Sequence, residues 1–78
     1  MKLTYESRHS IAYIRLAESV TEVETVRVGE EVNVDLTPDG KVYGIELLNA
    51  NEQLGPLIAG KLTLENEATG ATLDVALP

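Results

Sequence analysis

The stretch Val32-Asn33-Val34-Asp35-Leu36, followed by Thr37-Pro38-Asp39-Gly40 and then Lys41-Val42-Tyr43-Gly44-Ile45-Glu46-Leu47, decides the fold. Both flanking runs alternate apolar and polar residues, the period of a half-buried strand. The middle is a turn: Pro38 presets φ, the Asp39 side chain can bond local backbone, and Gly40 accepts positive φ. Two registers compete. A three-residue bulged loop sets Leu36 opposite Val42 and Val34 opposite Gly44. A four-residue loop sets Leu36 opposite Lys41, Val34 opposite Tyr43 and Val32 opposite Ile45. A slip of one residue inverts every face. The four-residue loop gathers the apolar residues on one face and is therefore expected.

The same reasoning works outward. Met1, Leu3 and Tyr5 alternate with Lys2, Thr4 and Glu6, and Ala12, Ile14 and Leu16 continue beyond Ser7–Ser10. A loop over residues 7–10 sets Tyr5 opposite Ala12 and Leu3 opposite Ile14. It also sets Lys2 opposite Arg15, a like-charge pair that costs a few tenths of a kcal/mol, the low end of the roughly 0.2–1 kcal/mol range for cross-strand pairs. Residues 20–28 are rich in Val and Thr and read as a strand. The phase of Val23 against Val26 and Val28 suggests a bulge near Glu24–Thr25. A loop over Glu67-Ala68-Thr69-Gly70 sets Leu64 opposite Leu73 and Leu62 opposite Val75. Residues 49–54 suit one helical turn capped by Asn49 and stopped by Gly55-Pro56. The rival reading is a longer helix starting at Pro56 and running through Leu57, Ile58 and Leu62. The expected fold is mostly β: an antiparallel meander of about five strands plus a C-terminal hairpin, with at most one short helix. We expect one small domain over residues 1–78, with a core over 1–54 and an extension over 55–78.

Composition bounds the functions. A folded chain of 8.4 kDa keeps about 4,600 Å² of accessible surface and buries about 7,600 Å². If roughly 60% of that is apolar, burial contributes about 114 kcal/mol, against about 117 kcal/mol for ordering the chain. So thin a margin points to a homo-oligomer, in the first place a dimer, or to a partner protein. Thirteen acidic residues against six basic give a net charge of −7. That disfavours nucleic-acid backbones and anionic membranes and suits a basic protein partner. The chain has no Cys, so it carries no disulfide, thiol nucleophile or Cys-based zinc site. It shows no long apolar run and no apolar signal core at its start. A cytoplasmic location is expected, and no cofactor is implied.

Few residues invite a chemical role. Asn33 and Asp35 share one face of their strand. In the expected register they face Gly44 and Val42, with Glu46 farther along. Two carboxylates and an amide suit a hard cation or a hydrogen-bonding partner, or simply a solvated outer face. Gly44 sharpens the question, because a strand glycine often marks close approach of backbone or ligand. Glu22, Glu24, Glu30 and Glu31 form an acidic stretch, either a charged edge that discourages aggregation or a surface for a basic partner. His9, the one histidine, sits in a turn beside Ser7 and Ser10 without a placed acidic partner, so no triad is supported. Residues 55–61 have P-loop spacing, but Leu62 stands where a Mg²⁺-binding hydroxyl is required. Without an acid–base constellation the chain does not read as an enzyme.

Tyr5, Ala12-Tyr13-Ile14-Arg15-Leu16, Gly29, Val32-Asn33-Val34-Asp35, Asp39-Gly40, Val42, Gly44-Ile45-Glu46-Leu47-Leu48 and Ala50 together resemble the small prokaryotic domain-of-unknown-function family 2283. The resemblance covers about residues 1–54. The family's acidic first turn is replaced here by Glu6, Arg8 and Ser10, and Asn49 stands where the family commonly has Asp. The resemblance implies no activity. It implies one role, an antitoxin-like partner of a small basic ribonuclease-like toxin. We therefore expect a non-enzymatic binding or interaction domain. The alternatives are that antitoxin-like role and a metal- or ligand-binding protein using Asn33, Asp35 and Glu46.

Overall fold

A computed structural model describes residues 1–18, 22–55 and 60–76. Its elements are β1 (Lys2–Glu6), β2 (Ile11–Arg15), β3 (Glu24–Gly29), β4 (Val32–Leu36), β5 (Val42–Leu48), α1 (Ala50–Gln53), β6 (Lys61–Asn66) and β7 (Ala71–Ala76). The first five strands form one antiparallel sheet in the order β1-β2-β5-β4-β3, and β6 and β7 form a separate two-stranded sheet. The rival long helix would have crossed the β6 residues, which are strand. The positions 56–59 that it shares with the P-loop-like spacing lie outside the described residues.

The class is the expected one, but the strand order departs from a meander at one step. β2 lies beside β5, not β3. The apolar alternation explains this. Ala12 and Ile14 of β2 face Leu47 and Ile45 of β5, two apolar pairs across one ladder. β3 carries Glu24 and Arg27 and is exposed throughout, which suits an edge strand.

The first and last hairpins keep their expected registers. Leu3 faces Ile14, Tyr5 faces Ala12 and Lys2 faces Arg15. Leu64 faces Leu73 and Leu62 faces Val75. The central hairpin takes neither candidate register. Its loop is the three-residue one: Thr37 N–H donates to the Lys41 carbonyl at 2.8 Å, and Gly40 has φ 85°. A bulge then places Asp35 opposite Gly44 while Leu36 stays opposite Val42, so Tyr43 is the extra residue. Beyond it, Val34 faces Ile45 and Val32 faces Leu47. One extra residue restores the phase that the short loop alone would invert. The bulge expected near Glu24–Thr25 lies instead between Arg27 and Gly29.

Two apolar rows cross one face of the sheet. Leu3, Ile14, Ile45, Val34 and Val26 form the first, and Tyr5, Ala12, Leu47 and Val32 the second. Among the described residues nothing as large as a second layer covers them. Among the described residues only Ala12 and Ala50 are buried apolar side chains. The chain exposes 5845 Å², against about 4,600 Å² for a compact protein of its mass. Helix α1 is a clasp at one end of the sheet. Ala50 N–H donates to the Ser10 carbonyl at 2.8 Å, and Asn51 N–H donates to Ser10 Oγ at 2.9 Å. Tyr5 hydroxyl donates to Asn51 Oδ1, and Gln53 Nε2 donates to the Leu48 and Glu31 carbonyls.

Asn49 does not cap this turn through its side chain. It adopts φ 53° and sends Nδ2 to Glu31 and Glu52 instead. Among the described residues no helix is long and apolar enough to cross a membrane. The Lys2–Arg15 pair gives a first test. Lys2→Glu replaces repulsion by attraction, so thermal melting should rise, by the equivalent of about 0.2–1 kcal/mol.

Candidate functional site

The face opposite the apolar rows is polar, and alternation puts the expected residues there together. One row across it reads Thr4, Tyr13, Glu46, Asn33 and Arg27; the next reads Lys2, Arg15, Gly44, Asp35 and Thr25. Asn33 thus faces Glu46 and Asp35 faces Gly44, not Gly44 and Val42 as the four-residue loop had implied. The bulge at Tyr43 accounts for the change.

These side chains bond to one another. Asn33 Nδ2 donates to Glu46 Oε1 at 3.0 Å. Asp35 accepts at both oxygens: from the Tyr13 hydroxyl at Oδ2, 2.6 Å away, and from Thr25 Oγ1 at Oδ1, 2.5 Å away. To reach Asp35, the Tyr13 ring crosses β5 over Gly44 and occupies the space that a Cβ there would fill. The glycine does mark a close approach, and what approaches is Tyr13. Neither Tyr13 nor Thr25 stood out in the sequence. The interior glycine was the one signal in the sequence, and the strand pairing that brings Tyr13 to it appears only in the structure.

Burial of its ring, followed by the hydrogen bond to Asp35 and that carboxylate's charge, raises the Tyr13 phenol above its usual value. The folded state therefore holds this proton more tightly than the unfolded chain does. The stabilisation is complete below the ordinary phenol pKa of about 10 and is lost as pH rises above it.

Chemically, the arrangement is two neighbouring hydrogen-bonded sets on one face of the sheet, Tyr13–Asp35–Thr25 and Asn33–Glu46. Among the described residues no group of three His, Cys, Asp or Glu side chains is placed to hold a metal ion. Two surface depressions among the described residues lie away from these side chains, one lined by residues 64–66 and 71–73 and one by 22–24 together with the 36–40 turn.

The other sequence candidates separate. Glu24 opens β3, with Glu22 just before it, while Glu30 and Glu31 form the turn after it. The two pairs stand about 20 Å apart along the strand and do not make one patch. Glu31 also takes part in the α1 clasp. His9 lies 3.5 Å from Glu6 in the first turn. Glu6 accepts from Arg8 Nε at 2.8 Å and from the backbone N–H groups of Arg8 and His9. The Arg8 guanidinium holds the Glu6 carboxyl below its usual pKa. Ser10, beside His9, is engaged with α1.

The family model described as "Protein of unknown function (DUF2283)" matches residues 2–51, from β1 into the first turn of α1. No curated protein and no solved structure gives a match. Every residue of the polar network lies within the matched span, and hairpin β6–β7 lies outside it.

Two measurements test this face. Gly44→Val should destabilise by about 1–3 kcal/mol through overpacking. The cost should shrink clearly when Tyr13→Ser is present, read as coupling in a double-mutant cycle of denaturant midpoints. Above about pH 10, wild type should lose stability more steeply than Tyr13→Phe, which has no phenol proton to lose.

Proposed function

The chain belongs to the DUF2283 family, and from that premise we propose that it is a non-enzymatic interaction domain that works as a homodimer. The uncovered apolar face of the five-stranded sheet carries this reading. Two rows of Leu, Ile, Val and Tyr side chains stay at least partly in water in the single chain, and the one short helix does not span them. A sheet with one apolar face has to bury it against another layer. The surplus of exposed surface, about 1,200 Å² per chain over the expectation for this mass, exceeds the roughly 800 Å² that each partner loses in a standard interface.

On the other face, the residues that would do chemistry satisfy one another. That supports a binding surface of fixed shape over a catalytic one. With each apolar sheet face covered by the second copy, the dimer presents two copies of the Asn33, Asp35, Gly44 and Glu46 face outward. Such a protein, with no Cys to oxidise, suits the cytoplasm.

Light scattering on the full chain tests the dimer. Wild type should give twice the monomer mass. Ile45→Asp, in the centre of the apolar face, should lose the dimer, while Arg27→Glu on the polar face should keep it. A wild-type monomer at high concentration that still melts cooperatively would overturn the proposal.

A further inference from the structure

Hairpin β6–β7 has its own unpaired apolar face. Leu62 faces Val75 and Leu64 faces Leu73 on one side of the ribbon. In the single chain they remain 39%, 41%, 46% and 60% exposed, respectively. The other side is polar and internally bonded: Thr63 Oγ1 donates to Asp74 at 2.7 Å, and Lys61 Nζ lies 3.4 Å from the same carboxylate. A two-stranded ribbon alone in water is marginally stable at best. This one is well formed and two-sided, so its apolar side needs a surface.

Resting on the dimer reading above, we propose that each hairpin lays its Leu62, Leu64, Leu73 and Val75 face across the apolar sheet face of a second copy of this chain. The dimensions agree. Six residues of strand span about 20 Å, and five strands about 4.8 Å apart span about 19 Å. The hairpin therefore reaches across the full width of the sheet. Burying both faces accounts for the surplus of about 1,200 Å² per chain, where a sheet-to-sheet contact alone would leave the four hairpin side chains wet. Among the described residues the single chain does not supply this cover, because the four hairpin side chains stay exposed. A two-fold axis makes the exchange reciprocal and closes the assembly at two copies. The Lys61, Thr63 and Asp74 side then faces solvent.

The absence of Cys makes introduced thiols unique reporters. Full-length Val34→Cys, in the centre of the sheet face, is mixed with full-length Leu73→Cys, allowed to exchange and oxidised. Cross-links are then read by mass spectrometry. The dominant product should be a disulfide joining position 34 of one chain to position 73 of the other. A second, uncharged check is Leu64→Ala with Leu73→Ala, which should lose most of the dimer in sedimentation. Dimers linked only through position 34 of both chains would overturn the hairpin assignment while leaving the dimer standing. A single chain carrying both thiol substitutions that closes this disulfide within itself, as a monomer, would overturn both. Dimers unaffected by the double alanine change would overturn the hairpin assignment alone.

Discussion

A single sheet with one apolar face is an unfinished object, and everything else in this molecule depends on how that face leaves water. Fully burying a Val, Leu or Ile side chain contributes about 1.5–3 kcal/mol. Here the central side chains Val34, Ile45, Leu47 and Ile14 are only half-buried, because among the described residues they have neighbours within the sheet but no layer above it. Among the described residues the buried apolar side chains are two alanines, Ala12 and Ala50, which are too small to form a core. A four-residue helix fastened at one end of the sheet fixes two turns without covering the rows. The hydrophobic side of the folding balance is therefore incomplete among the described residues of one chain, and in the proposed dimer association completes it.

The opposite face answers a different demand. Its carboxylates are held by donors on neighbouring strands, so Asp35 joins β2, β3 and β4, and Asn33–Glu46 joins β4 to β5. Tyr13 reaches Asp35 only because β5 has no side chain at position 44. The residue types that suggest a ligand site when read singly, a strand glycine and two acids, turn out to build one polar cover for the sheet. In the proposed dimer this division gives each face a separate role: one meets the second copy, and the other stays presented to solvent with a fixed pattern of charge.

Much of this was legible in the residues. Where turn and alternation agreed, as in the first and last hairpins, facing pairs followed from counting. The resemblance to the family also survived, with its boundary near position 51. In the central hairpin the turn residues left two loops open; the alternation pointed to four residues, and the structure keeps three. A single extra residue, Tyr43, reconciles the shorter loop with the alternation, and no local rule announces such a bulge. The β2–β5 pairing joins segments about thirty positions apart, so it depends on which apolar rows match across the sheet. The Tyr13–Gly44–Asp35 contact follows from that pairing and was hidden with it. The acidic stretch misled in the other direction: neighbours in sequence were separated to the two ends of an extended strand.

The central claim is that folding and association are one process. Thermal melting of the full chain over a wide range of protein concentration tests it directly. If the apolar face is covered by a second copy, the midpoint must rise with concentration, because association draws on the folded state. A midpoint that stays constant across the series, with a cooperative transition at every concentration, would contradict it.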